Sequence, residues 1–263
     1  MMKLKLPKWS YPALSVAFWV ALWWVVAAIF DKPLLLPTPL QTLTALSALA
    51  ATGEFYLTVL LSLSRILLGI ALALAGGTLL ALLTTKSPLC HHLFSPLLSL
   101  FKATPVASVI FLMLLWVGRD SVPLWIAFMM AFPIVWSNVR EGLLQTDRQL
   151  LEMARLFGVP RVRMLMKLRL PALAPYFLSA CRSAIALSWK AGVAAEVLCV
   201  PARSIGRAIY EGKTYLMTEE LFAWTLIVIV ISVLIEQAAL AILNKAQRAL
   251  AAQKEVNGND QAA

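Results

Sequence analysis

Charge is scarce in this chain. Of its 263 residues only 14% are Asp, Glu, Lys or Arg, where a soluble domain carries about 25%. Hydrophobic residues make up 61%, and mean hydropathy is strongly positive at +0.81. A soluble globular class is excluded and a polytopic membrane protein is left. Cysteine is rare too. Cys90, Cys181 and Cys199 fall in separate segments, with neither metal-ligand spacing nor a paired framework, so three free thiols are expected. No phosphate-cradling glycine loop occurs, so ATP hydrolysis is not expected on this chain. Nor does any nucleophile stand beside a suitable base. An intramembrane enzyme, the alternative of a different class, would need a convergent polar cluster, and the charges are scattered.

Long apolar runs dominate what is there. They lie near 11–30, 57–84, 97–117, 121–140, 174–198 and 221–243, each long enough to cross a bilayer as a helix. The expected fold is therefore all-α, with about six spans over 11–243. A short N-terminal segment, 1–10, precedes them, and a polar tail, 244–263, follows. The first run is longer than a signal-peptide core and is read as a retained span. Between the first two runs, a proline turn and a weak helical pattern suggest a short surface helix that stops at Gly53.

Basic residues orient the chain. With the N-terminus inside, the inner segments hold Lys3, Lys5, Lys8, Lys86, Arg140, Arg148, Arg155, Arg161, Arg163, Lys167, Arg169, Lys245, Arg248 and Lys254. The outer segments hold only Lys32, Arg119, Arg203, Arg207 and Lys213. This bias predicts both termini in the cytoplasm. The net charge of +10 is thus mostly a topology signal, and no nucleic-acid partner is expected.

The longest inner loop, 141–172, contains LEMARLFGVPRVRMLMKLRLP, basic and broken between two apolar runs. Leu150, Leu151, Ala154 and Phe157 recur at helical spacing, Asp147 suits an N-cap, and Gly158 suits the position after a helix end. Pro160 can open a second helix over Arg161 to Arg169, and Pro171 marks the start of the next span. Helix, sharp turn, helix is predicted. Such an element either docks on a soluble partner or lies on anionic membrane lipid.

Here the residues resemble a known signature. Glu152-Met153-Ala154, Gly158 six residues after the glutamate, and Leu168-Arg169-Leu170-Pro171 are similar to the EAA loop of ABC-importer permeases, with Met153 for an alanine and Leu168 for an isoleucine. Leu36-Pro37-Thr38-Pro39, Ser62-Leu63-Ser64-Arg65 with Gly69, Thr104-Pro105, Phe132-Pro133, and Ala195-Glu196 followed by Ser204-Ile205-Gly206 resemble the nitrate/sulfonate/taurine branch. The resemblance implies a type I ABC importer permease fold in a bacterial inner membrane. It also implies a pathway built by two copies, a cytoplasmic ATPase dimer holding ATP and Mg, and an extracytoplasmic solute-binding protein. Glu152, Met153, Ala154, Arg155, Leu156, Gly158, Val159, Pro160, Leu170 and Pro171 would form the ATPase-coupling loop. No cofactor or metal is expected on this chain. The branch implies a small anion such as a sulfonate, taurine or nitrate, but it also serves neutral or cationic heterocycles such as thiamine-precursor pyrimidines.

Six charged residues fall in or near apolar runs: Arg65, Lys102, Arg182, Lys190, Glu196 and Glu236. Two readings stay open. They pair between helices and fix the packing, Arg65 with Glu196 for example, or they form a cationic lining for an anionic solute. The adjacent His91 and His92 lack further ligands and are expected to be solvated rather than metal-binding.

Overall fold

The computed structural model describes residues 10–259, so Lys3, Lys5 and Lys8 lie outside the described residues. Every regular element among them is helical. α1 is Ser10–Phe30. The proline turn then delivers α2, Pro39–Ala50, whose start is fixed by a capping box: Thr38 Oγ1 accepts from the Gln41 backbone N–H, and the Gln41 side chain accepts from the Thr38 N–H. Gly53 begins α3, Gly53–Lys86, rather than ending the surface helix. At 34 residues, α3 is about 51 Å long and exceeds the hydrocarbon core.

The centre of the molecule is a three-helix packing of α3, α6 (Val122–Leu144) and α9 (Leu170–Cys199). Its cause is legible along α3, where Gly69, Ala73, Gly77 and Ala81 recur every fourth residue and are all buried. A Cβ at Gly69 would stand 2.3 Å from the Leu124 carbonyl oxygen of α6. Small residues on one stripe let helix backbones approach where no hydrophobic effect distinguishes helix from lipid. Interhelical hydrogen bonds add direction. Trp136 Nε1–H donates to Thr84 Oγ1 at 2.8 Å, and Trp189 Nε1–H donates to the Val228 carbonyl at 3.2 Å. The latter ties α9 to α11, Thr218–Asn259, which runs on through most of the polar tail. α1 is held more lightly: Trp23 donates to the Pro37 carbonyl at 3.1 Å and stacks on Phe222.

Among the described residues five helices are long and apolar enough to cross a membrane. The run at 97–117 is not among them as a single rod. It is two helices, α4 (Pro88–Ala103) and α5 (Val106–Trp116), bent by 108°. Pro105 causes the break. It lacks an N–H, and it holds Thr104 in extended backbone (φ −77°, ψ 130°). Counting the bent pair as one broken span gives six.

The expected second hairpin helix also takes a different form. It is helical as α8, Arg161–Met164, but 165–169 widens into a π turn and runs without interruption into α9. Leu170 N–H bonds the Leu165 carbonyl, five residues back. Pro171 supplies the reason: its ring crowds the carbonyl four residues earlier and offers no N–H, so the widened turn accommodates it inside a helix that does not stop. Sequence reading also missed α10, Ile205–Thr214, between α9 and α11. Ser204, whose Oγ accepts from the Arg207 backbone N–H, is its N-cap and was the available signal.

Candidate functional site

The hairpin between α6 and α9 is built from its turn. α7 is Arg148–Leu156, with Asp147 capping it by accepting from the Gln149 N–H at 2.8 Å. At its other end the Gly158 N–H bonds the Arg155 carbonyl at 3.0 Å, and the Val159 N–H bonds the Ala154 carbonyl at 2.9 Å. These are the two bonds of a Schellman motif, and Gly158 takes the left-handed conformation it requires at φ 66°. Pro160 then starts α8, its carbonyl accepting from the Met164 N–H at 3.0 Å.

The two faces of this hairpin differ. Ala154 and Met164 are buried against the body. Leu156 and Phe157 at the tip are 87% and 80% exposed, with Glu152, Met153 and Arg155 exposed beside them. An apolar tip ringed by charge is the surface a soluble partner would bury. Mechanically the hairpin is not a free loop. Only 145–147 separates α7 from α6, and the other arm is continuous with α9 through Leu170 and Pro171. Movement of the tip must therefore reach two of the three central helices.

The intramembrane charges divide into two groups. Arg65 and Glu196 come together in a polar cluster at the far end from the hairpin. Glu196 is completely buried. Its Oε2 accepts from the Ser62 hydroxyl at 2.8 Å and from the Gly206 N–H at 3.1 Å. Ser62 Oγ in turn accepts from the Ile205 N–H at 2.9 Å. Arg65 Nη1 lies 3.9 Å from Glu196 Oε1, and Nη2 lies 3.6 Å from Asp120. Arg65 also donates to the carbonyls of Ala202 and Arg203, while Asp120 accepts from the Ala202 N–H at 2.8 Å. Thus one arginine and two carboxylates hold the turn 200–204, where Val200 and Arg203 adopt left-handed φ of 50° and 48°. A β-branched residue in that region is strained by about 1–3 kcal/mol and persists only where its surroundings over-determine it. Gly206 must be glycine for another reason: a Cβ there would sit 2.3 Å from Glu196 Cβ. On α10, Glu211 accepts from Arg207 Nε at 2.7 Å, which holds that guanidinium above its ordinary pKa.

Arg182 and Lys190 are not in this cluster. Both are exposed on α9, near Ser179, Ser183 and Ala194, and neither forms an ion pair among the described residues. Eight residues apart, they stand about 12 Å from each other along the helix. Lys102 is exposed in the last turn of α4, beside the bend. His91 is not simply solvated: its ring stacks on Trp136 at a centroid distance of 5.8 Å. No cluster of metal-binding side chains occurs among the described residues. Asp120 escaped sequence reading because an aspartate in a loop is unremarkable, and Ser62 was read only as part of a motif, without its bond to Glu196.

Comparison with known proteins gives this geometry a family. The chain is 25% identical to the taurine transport system permease protein of Escherichia coli (strain K12), over 87% of this chain and 88% of that one. It is 27% identical to an aliphatic sulfonates transport permease protein of Bacillus subtilis (strain 168), over 85% and 81%. The formylaminopyrimidine transport permease protein of Halalkalibacterium halodurans matches at 26%, over 67% and 71%. Among solved structures, an amino acid ABC transporter crystallised with histidines shares the fold, with a TM-score of 0.59 at 17% identity, covering 77% of this chain and 97% of that one. These relatives are transport permeases, not enzymes, and the first two lie in the branch that the motifs resemble. Residues 66–248, more than half of the chain, match the binding-protein-dependent transport system inner membrane component family, and the protein is a multi-pass inner membrane permease belonging to that family.

Proposed function

We propose that two copies of this chain form the translocation pathway of an ABC importer for a small sulfonate-like anion, taurine or an alkanesulfonate. The hairpin Asp147–Pro160 couples that pathway to a cytoplasmic ATPase dimer that holds ATP and Mg. An extracytoplasmic binding protein delivers the solute, and both termini lie in the cytoplasm, in keeping with the distribution of Lys and Arg. The observation that carries the reading is the hairpin itself: an exposed Leu156-Phe157 tip on a rigid turn whose arms continue α6 and α9. Closure of the ATPases then rocks those helices, and the pathway alternates between its two openings. For the solute, Arg182 and Lys190, exposed and without an ion pair among the described residues, favour an anion, and Lys102 adds a third exposed cation. Arg65 and Glu196 are already engaged in holding the outer turn.

A second reading, a neutral or cationic pyrimidine as solute, is favoured by the formylaminopyrimidine permease among the relatives. Reconstitution of the permease with its ATPase and binding protein decides between them. Taurine or an alkanesulfonate is expected to stimulate ATP hydrolysis; stimulation by a pyrimidine alone would move the assignment to the second reading.

A further inference from the structure

A cleft of about 1100 Å³ lies behind the hairpin, between α8, the π turn and the ends of α3, α6 and α9. Its walls are apolar, with Leu82, Leu143, Met164, Leu165, Leu170 and Leu173 prominent. Its cations come from three separate elements: Lys86 ends α3, Arg155 belongs to α7, and Arg169 closes the π turn. None of the three pairs with a carboxylate among the described residues. Thr78 lines the same cleft, and its buried hydroxyl has no hydrogen-bond partner among the described residues.

Depth selects the occupant. Leu82 and Thr78 precede Lys86 by four and eight residues on one helix, so they lie about 6 and 12 Å deeper than the end of the span. With Lys86 at the cytoplasmic interface, as the proposed orientation has it, the cleft reaches from a cationic rim along the apolar length of α3 into the hydrocarbon layer. A soluble protein cannot follow it there, because its polar groups would be stranded in lipid. A free anion would use the rim and leave the apolar wall empty. An amphiphile with an anionic head satisfies both parts. The sequence alternative of a hairpin lying on lipid thus describes its back, while the exposed tip faces away from the body.

We propose that this cleft holds one anionic phospholipid of the cytoplasmic leaflet, its phosphate on Lys86, Arg155 and Arg169 and an acyl chain along Leu82, Leu165 and Leu173. The inference rests on the cytoplasmic placement of the hairpin proposed above.

Native mass spectrometry and lipid extraction of the permease–ATPase complex, purified in mild detergent and exchanged into phosphatidylglycerol or phosphatidylcholine nanodiscs, test it. Wild type is expected to retain phosphatidylglycerol selectively. Lys86→Gln with Arg169→Gln should lower that retention about tenfold or more, through loss of two charge-assisted contacts, while Lys86→Arg restores it at the first position. Leu82→Trp, which fills the cleft and keeps every cation, should also expel the lipid. Equal retention by the double glutamine variant, or no retained phosphatidylglycerol in wild type, overturns the proposal. So does displacement of the lipid by millimolar inorganic phosphate, which would make the rim a phosphate site. Co-purification of the ATPase is read separately: its loss from wild type with lipid still bound would count against the coupling role and not against the lipid site.

Discussion

Glu196→Ala would strand the Ser62 hydroxyl and the Gly206 N–H in a buried place and leave Arg65 with Asp120 as its remaining carboxylate partner. A loss of about 1–3 kcal/mol in stability is expected, read as a lower unfolding temperature in detergent. Glu196→Gln keeps an acceptor oxygen for both donors and should fall between that variant and wild type; if the two variants melt alike, the hydrogen bonds are not what the carboxylate contributes. Arg182→Gln and Lys190→Gln should instead leave melting unchanged and raise the KM for uptake, because both side chains are exposed and form no ion pair among the described residues. Unaltered uptake affinity would sink the cationic-lining reading. By sequence these two groups are alike, since every one of them is a charge within an apolar run. Pairing of Arg65 with Glu196 was readable because both lie in the halves of their helices away from the hairpin. What separated Arg182 and Lys190 from them was which face of α9 packs, and hydrophobicity all round a helix hides that.

The hairpin is the element whose design was most legible. Cap, glycine, proline and amphipathic spacing are local chemistry, and local chemistry decides a nine-residue helix and its turn. The Thr104-Pro105 elbow was present as two letters, with a proline that can kink or start a helix, yet the apolar composition on both sides reads as one span and hides how sharp the bend is. The π turn was missed because an X-Pro step marks a helix boundary more often than a continuation. Gly158→Trp should leave the permease inserted but abolish both transport and solute-stimulated ATP hydrolysis, since a bulky residue at φ 66° cannot keep the Schellman turn or the tip it presents. Pro171→Ala allows the π turn to relax to an α-helix, which rotates the hairpin by about 100° relative to α9. Reduced stimulated ATPase activity at unchanged melting temperature is expected; full activity would mean that the widened turn has no mechanical part.

At the scale of the whole molecule, the all-α class and the number of apolar runs followed from composition, while the three-helix centre did not. The Gly69, Ala73, Gly77 and Ala81 stripe is its signal, but the stripe lies inside a long run that is apolar all round and so hides which face packs. α1 packs on so little of the protomer that most of its surface is left for lipid or a second copy. Chemical crosslinking in the membrane should yield a species of twice the 28.9 kDa protomer; a complex in which one permease chain serves two ATPases would remove the paired-pathway proposal.

The elbow between α4 and α5 has one more effect. The first amides of α5, at Val106, Ala107 and Ser108, have no helical acceptor ahead of them, and Pro105 provides no side-chain cap. Unmet donors at membrane depth require water. Deuterium should therefore enter these three amides rapidly in nanodiscs while the amides of Leu112 to Leu115 stay protected. The bend would then appear in exchange data as a wet spot in an otherwise dry span, close to the exposed ammonium of Lys102.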